Sequence, residues 1–335
     1  MLLYPDKLSA MTKSEKKSLR AVINPISGTT KKEYVPEVLD KFIDKDKFDI
    51  QIRFTQHQGH ATTLTKEAIK NNFYGVIAIG GDGTINEVAS ALCGSNTALG
   101  IIPCGSGNGL ARHLGIPVNL EKAIQILNVD NVECLDYCTV NDHPFFCTCG
   151  VGFDAHVSEK FAQRHKRGPL TYIQNALAEY LKYRPQKYVL EMKDEVLTEE
   201  AFLIACGNAS QYGNNAFITP RASVHDGLID VTVIHPFTPL DTALMSVLLF
   251  TRHLDQDMNI NTYRTPELTI KRDKPGVMHI DGAPVMMEAN LHIKCHKGGI
   301  KMLLPVTDNV DKSFFSSLED YFWEFINTVR GELKI

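Results

Sequence analysis

From Leu19 to Asn128 the chain alternates between short apolar runs and longer amphipathic segments, and this alternation limits the fold more than any other feature. Leu19–Asn24, Phe48–Phe54, Tyr74–Ile79 and Ala98–Ile102 read as strands. Between them, Lys31–Asp44 carries Val35, Val38, Leu39 and Phe42 at helical spacing, and His60–Asn71, Thr84–Cys93 and Leu120–Asn128 follow the same pattern. Strands that are apolar throughout must be covered on both faces, and helices between them make neighbouring strands parallel. The expected fold is an α/β N-terminal domain around a parallel sheet, with ligands at the carboxyl ends of its strands.

Near residue 130 the pattern changes. Val132–Val140 and Phe145–Val151 flank an Asn141-Asp142-His143-Pro144 turn, and a helical passage follows at Leu170–Lys182. Strand-like runs then dominate: Lys187–Met192, Ala201–Cys206, Leu228–Ile234, Glu267–Arg272, Val277–Ile280, Leu291–Cys295 and Gly299–Leu303. These predict a second, mostly antiparallel β domain. The expected division is residues 1–130, 131–308 and a C-terminal amphipathic helix within 309–335. In that tail Phe314, Phe315, Leu318, Phe322, Phe325, Ile326 and Val329 recur at helical spacing, as in a helix docked on the body or on a second subunit.

Composition excludes several classes. With 44% hydrophobic and 22% charged residues, the 335-residue chain can build two cores. A net charge of −4 gives no global basic field for nucleic acid. Eight cysteines occur without a CxxC pair, and no secretion signal opens the chain, so a reduced cytoplasmic protein is expected. Cys138, His143, Cys147 and Cys149 suggest zinc, but they lack paired C-x₂₋₄-C spacing and read better as buried small residues. The most apolar stretch, Thr242–Phe250, is far short of the ~20 residues of a membrane span. Residues 1–18 form a Lys-rich lead-in; Arg164–Arg167 and the set Lys182, Arg184 and Lys187 are local basic clusters. Such clusters are either solvated faces or contacts for anionic head groups. A homodimer, common among soluble enzymes, is compatible with the sequence.

Chemistry concentrates after three of the early strands. Gly80-Gly81-Asp82-Gly83-Thr84, followed by Ile85-Asn86-Glu87, joins a buried strand to a helix. Glycines allow close backbone approach, and a helix N-terminus offers N–H groups and positive partial charge to phosphate. An aspartate there repels phosphate unless a cation intervenes, which points to Mg²⁺ between Asp82 and a nucleotide. The plainer reading is a tight turn in which Asp82 caps the helix. Asn24-Pro25-Ile26-Ser27-Gly28 and Pro103-Cys104-Gly105-Ser106-Gly107-Asn108-Gly109 are weaker alone but agree with a phosphate cradle. No G-x-x-x-x-G-K-[ST] is present, and the run from Gly105 to Gly109 lacks the spacing of a dinucleotide fingerprint.

Taken in order, the Asn24–Gly28, Gly80–Thr84 and Pro103–Asn108 segments resemble the diacylglycerol kinase catalytic-domain superfamily, which includes soluble bacterial diacylglycerol kinases and sphingosine kinases. The resemblance spans most of residues 19–305 and implies a fold similar to phosphofructokinase and NAD kinase, with ATP and Mg²⁺ as cofactors. It implies ATP contacts at Asn24, Ser27, Gly28, Thr55, His60, Gly80, Gly81, Asp82, Gly83, Thr84, Asn86, Gly105 and Ser106. It further implies that Asp154, in Gly152-Phe153-Asp154, holds the lipid head group. His225-Asp226-Gly227-Leu228 resembles a structural-magnesium loop, with Asp226 ligating by carboxylate and Ser223 and Leu228 by backbone oxygen. Ile280-Asp281-Gly282 matches a late Asp-Gly segment beside the active site.

Phosphoryl transfer needs charge neutralisation, in-line positioning and a carboxylate for the acceptor proton. Asp281 is the favoured base and Asp82 the Mg²⁺/ATP organiser. Two departures matter. Ala283 stands where the family often has Glu, which keeps open a regulator that binds ATP without catalysis. Asn108-Gly109 replaces the Asn-Asp of soluble bacterial diacylglycerol kinases, which tilts the acceptor towards a sphingoid base over diacylglycerol. NAD kinase, which shares the Gly-Gly-Asp-Gly-Thr segment, is a further alternative. A lipid acceptor implies peripheral contact with a membrane surface.

Overall fold

The computed structural model describes residues 16–28, 32–162, 183–238 and 241–306. The Lys-rich lead-in (but for its last three residues), the Arg164–Arg167 cluster, Lys182, the Leu170–Lys182 passage and the Ser313–Val329 tail lie outside these residues.

Strands β1 (Lys17–Ile23), β2 (Phe48–Phe54), β3 (Gly75–Gly80) and β4 (Ala98–Pro103) are parallel, in the order β2-β1-β3-β4. Every residue of β3 and β4 is buried, as their uninterrupted apolar character requires. Helices α1 (Val35–Phe42), α2 (His60–Lys70), α3 (Asp82–Leu92) and α5 (Leu120–Val129) cover them; a five-residue α4 (Gly109–His113) follows β4. Helix α2 packs on α3 and α1 on α5, as right-handed crossovers from a β2-β1-β3-β4 order dictate. The start of α5 is capped by Asn119, whose side chain accepts from the Lys122 N–H at 3.0 Å. Helix α3 begins at Asp82, two residues before the spacing suggested, because extended Gly81 bends the chain straight from β3 into the helix. Gly80 permits that bend: a Cβ there would sit 2.6 Å from Thr84 Oγ1.

The second half is built from β5 (Val132–Val140), β6 (His143–Phe145), β7 (Thr148–Gly152), α6 (Phe153–Ala162), β8 (Gln186–Met192), β9 (Glu195–Ala201), β10 (Leu203–Gly207), β11 (Ile229–Ile234), α7 (Asp241–Phe250), β12 (Ile260–Thr265), β13 (Glu267–Lys271), β14 (Gly276–Ile280), β15 (Ala283–Met287) and β16 (Asn290–Leu303). The antiparallel sheet β12-β11-β10-β7-β14-β15 faces strands that extend the first sheet through β16, β13, β8 and β9. Between the two lies an apolar layer including Phe145, Val151, Leu190, Ile204, Val231, Met278 and Ile293. The α/β fold with an antiparallel β second half is thus the fold expected from sequence.

Strand β16 joins the halves. Its start pairs with β13 and β5, and Met302 near its end pairs in parallel with Leu99 of β4. The sequence suggested two strands here; the structure has one, interrupted by a bulge between His296 and Ile300 where Gly298 takes φ +60°. The single strand expected over Phe145–Val151 is divided between β6 and β7. β7 starts at Thr148, so Cys147 packs in the N-terminal core and Cys149 between the sheets.

Candidate active site

Loops from both halves converge beyond the carboxyl ends of β1, β3 and β4. Asn24 organises the first loop: its amide donates to Thr84 Oγ1 at 3.0 Å, and its Oδ1 accepts from the Ile26 N–H at 3.1 Å. Ser27 Oγ donates to the Asn24 carbonyl at 3.0 Å. Gly28 is left-handed (φ +65°), and a Cβ there would lie 2.0 Å from the Cys104 carbonyl oxygen, so only glycine lets the first and third loops touch.

In the third loop, Asn108 closes a ring on Gly105, accepting from its N–H at 2.9 Å and donating to its carbonyl at 2.8 Å. A Cβ on Gly105 would be 2.6 Å from Gly81 Cα, so the second and third loops meet backbone to backbone. Ser106 is exposed at the loop tip.

Asp82 lies at the start of α3 but does not cap it, contrary to the plainer sequence reading; that helix has no side-chain cap. Instead each carboxylate oxygen takes one N–H at the entry to α4, from Asn108 to Oδ2 at 2.9 Å and from Gly109 to Oδ1 at 2.8 Å. One lone pair on each oxygen is left unclaimed by these bonds. Burial raises the pKa of this carboxyl; the two N–H groups oppose the rise, and the negative charge of Asp281 adds to it.

Asp281 comes from the opposite half. With Gly282 it forms the two-residue turn between β14 and β15, at φ +46° and +81°, the positive pair that a type I′ hairpin demands. Its Oδ1 accepts from the N–H groups of Cys147 (2.8 Å) and Thr148 (3.1 Å). Its Oδ2 accepts from the Phe146 N–H (3.0 Å) and from the Asn86 amide (2.8 Å). Burial again raises its pKa, against these donors. The Asn86 amide is thus also the link by which α3 reaches the second half. The Cys147 thiol lies beside both aspartates, whose charges, after burial, push its pKa well up; it donates to the Gln211 carbonyl.

The turn before α2, which carries Thr55 and His60, is tied to α3. Glu87 of α3 accepts from the N–H groups of Gly59 (3.0 Å) and Ala61 (3.2 Å), so a carboxylate already caps that helix. His60 Nδ1 accepts from the Gln56 N–H and its ring stacks on His57. Thr55 donates its N–H to the Ile23 carbonyl. Glu87 went unassigned in the sequence because nothing in its own segment shows that its carboxylate reaches the start of α2.

Asp154, at the start of α6, is buried. Its Oδ1 accepts from the Ala155 N–H at 2.7 Å; its Oδ2 accepts from the Tyr212 hydroxyl at 2.8 Å and lies 2.9 Å from His279 Nε2. His279 Nδ1 is buried without a hydrogen-bond partner among the described residues. His279 was legible only as a polar residue between Met278 and Ile280, and its link to Asp154 was not foreseen. Phe153 and Tyr212 border an apolar cluster with Phe202, Leu203, Met245 and Leu254.

Asp226 stands away from this centre. Its Oδ1 accepts from the Leu228 N–H at 2.9 Å, and its Oδ2 pairs with Arg264. Ser223 Oγ faces the His225 N–H at 3.4 Å. Ala283 is exposed at the head of β15, and Gly109 is required by packing, since a Cβ would meet Cys147 Sγ at 2.9 Å and the Tyr212 carbonyl at 3.1 Å. Among the described residues no helix is long and apolar enough to cross a membrane.

Residues 18–140 match the family model described as diacylglycerol kinase catalytic domain, and residues 147–303 match the YegS C-terminal NAD kinase β-sandwich-like domain. The protein of Escherichia fergusonii named "Probable lipid kinase YegS" is 30% identical over 263 residues, 76% of this chain and 86% of the relative. A "Probable lipid kinase YegS-like" protein of Klebsiella pneumoniae is 33% identical over 190 residues, 55% of this chain and 64% of the relative. In three dimensions, the crystal structure of a diacylglycerol kinase from Bacillus anthracis aligns with a TM-score of 0.68 at 20% identity, covering 87% of this chain and 97% of that one.

Proposed function

Since the chain belongs to the YegS-type lipid kinases of the diacylglycerol kinase catalytic-domain family, we propose that it transfers the γ-phosphoryl group of ATP to the hydroxyl of a glycerolipid such as diacylglycerol. The observation that carries this reading is the meeting of Asp82 and Asp281 beside three interlocked glycine loops and the uncapped start of α3. The residues fit a nucleotide: a Cβ at Gly83 would have open space around it, and Asp82 keeps a lone pair on each oxygen for a hard cation. Ser27, Gly28, Gly80–Thr84, Gly105 and Ser106 would hold the phosphates, and Asp82 the Mg²⁺. ATP with its Mg²⁺ supplies the phosphoryl group and neutralises its charge.

The residues of this chain then orient and deprotonate the acceptor. Three of the four donors to Asp281 are backbone N–H groups; only the Asn86 amide sits on a side chain that can rotate. Displacing that amide opens a lone pair on Oδ2 to the lipid hydroxyl, which makes Asp281 the proton acceptor and Asp82 the organiser of metal and phosphate. Asp154 would hold His279 in place, and His279 Nδ1 would address the head group.

Two observations favour a neutral glycerolipid over a sphingoid base. Gly109, whose presence tilted the sequence reading, is accounted for by packing against Tyr212 and Cys147. Asp154 already has Ala155, Tyr212 and His279 around its two oxygens, leaving little for an ammonium group. The test is label transfer from radiolabelled ATP to detergent-dispersed diacylglycerol, sphinganine, ceramide or NAD. Label in diacylglycerol supports the proposal. Label in sphinganine alone restores the sphingoid base, label in NAD moves the protein to NAD kinase, and nucleotide binding without any transfer indicates a regulator.

A further inference from the structure

The loop from Ser223 to Asp230 resembles a magnesium-holding loop, yet its acidic oxygens are already engaged within the protein. Asp226 presents Oδ1 to its own Leu228 N–H and Oδ2 to Nη2 of Arg264. Nε of the same guanidinium lies 3.2 Å from Asp230 Oδ1 and 3.3 Å from Oδ2. The neighbouring Asp136 accepts from the N–H groups of Gly227 and Gly298, at 2.6 and 2.7 Å. Among the described residues no three His, Cys, Asp or Glu side chains gather where they could share a metal ion.

The position of Arg264 is fixed by the sheet. It lies directly across from Asp230 in the β11–β12 pair, so its fork reaches both ends of the loop from one strand position. A planar guanidinium with donors on separate nitrogens matches two carboxylates in a way that an ammonium cannot. The adjoining cavity, about 230 Å³, is lined by Arg221 and Arg264 together with Asp230 and Asp255, and Arg221 is itself paired to Asp255 at 2.6 Å. The two guanidinium groups offset the two carboxylates, so the cavity carries no excess negative charge to draw in a divalent cation.

We propose that Arg264 takes the place of the structural cation, so that this loop is closed by an internal charge and needs no metal. The assignment of Asp226, Ser223 and Leu228 as metal ligands is replaced by an Asp226–Arg264–Asp230 clasp. The proposal is independent of which acceptor is phosphorylated and of whether catalysis occurs.

The test uses nucleotide-free full-length protein. Thermal unfolding is followed in EDTA and in excess Mg²⁺ or Mn²⁺, and Mn²⁺ binding is measured by equilibrium dialysis. The expected result is the same midpoint in EDTA and in either metal, with no Mn²⁺ bound that Asp226→Asn removes. Arg264→Ala should lower the midpoint, and Arg264→Lys should recover only part of the loss. A wild-type midpoint that rises with Mg²⁺, survives Asp82→Asn and disappears in Asp226→Asn would overturn the proposal. The wild-type measurement decides the matter even if the Arg264 variants do not fold.

Discussion

Asp82 and Asp281 differ in how much of each carboxylate the protein already uses. Asp82 holds two N–H groups and Asp281 four donors, although burial raises the pKa of both. A hydrogen bond to the ionised form lowers a carboxyl pKa, so removing the Asn86 amide should raise that of Asp281 further. Asn86→Ala is therefore expected to move the acidic limb of the kcat/KM profile, which reports the free enzyme, to higher pH. An unmoved limb would show that Asp281 does not govern the reaction. Asp281→Asn should lower kcat by roughly 10²–10⁴ while nucleotide affinity, measured by calorimetry, changes little.

The residue scale was also where the sequence was least complete. Asp82, Asp154 and Asp281 stood out because glycines or turns surround them. Asn86, Glu87, Asn108 and His279 act by reaching other segments, to Asp281, to the start of α2, to Gly105 and to Asp154. Spacing along one segment cannot display a partner nearly 200 positions away.

Among the elements, the glycine loops explain one another. Gly28 meets Cys104 and Gly105 meets Gly81, so the motif glycines serve loop-to-loop contact as well as phosphate access. Gly105→Ala should cost about 1–3 kcal/mol of stability from overpacking and weaken ATP binding. Gly83→Ala, whose Cβ has nothing within 4 Å, should leave the unfolding midpoint unchanged or slightly raised, because alanine favours the helix. Equal destabilisation by the two changes would contradict the packing described for these loops. Strands β3 and β4 were readable because burial on both faces leaves an unbroken apolar run. Strands β9 and β12 were not, because at the sheet edges polar residues occupy their exposed positions.

At the scale of the molecule, β16 and the site itself bind the halves together. His113 of α4 adds to this link, its Nδ1 accepting from the Ser210 N–H at 3.1 Å with Ser210 Oγ at 2.9 Å. Burial, assisted by the charges of Arg252 and His225, pushes the pKa of His113 down from 6.5 to about 4. A histidine with a depressed folded-state pKa favours the fold while neutral, so its contribution is complete above 6.5 and is lost as pH falls towards 4. Stability against urea should decline over that interval, and His113→Gln, which cannot titrate, should flatten the decline. The same slope in both proteins would remove His113 from the account. The long-range closure by β16 was hidden in the sequence because Leu291–Cys295 and Gly299–Leu303 each look like a complete short strand, with Gly298 marking a bulge that reads as a turn.

The central claim is that Asp82, set among interlocked glycine loops, directs ATP to a lipid hydroxyl. Its most direct test is ³²P transfer from ATP to dispersed diacylglycerol by the wild type and by Asp82→Asn, with folding of both checked by circular dichroism. The account predicts labelled phosphatidic acid from the wild type and its loss in the folded variant; undiminished labelling by Asp82→Asn would contradict it.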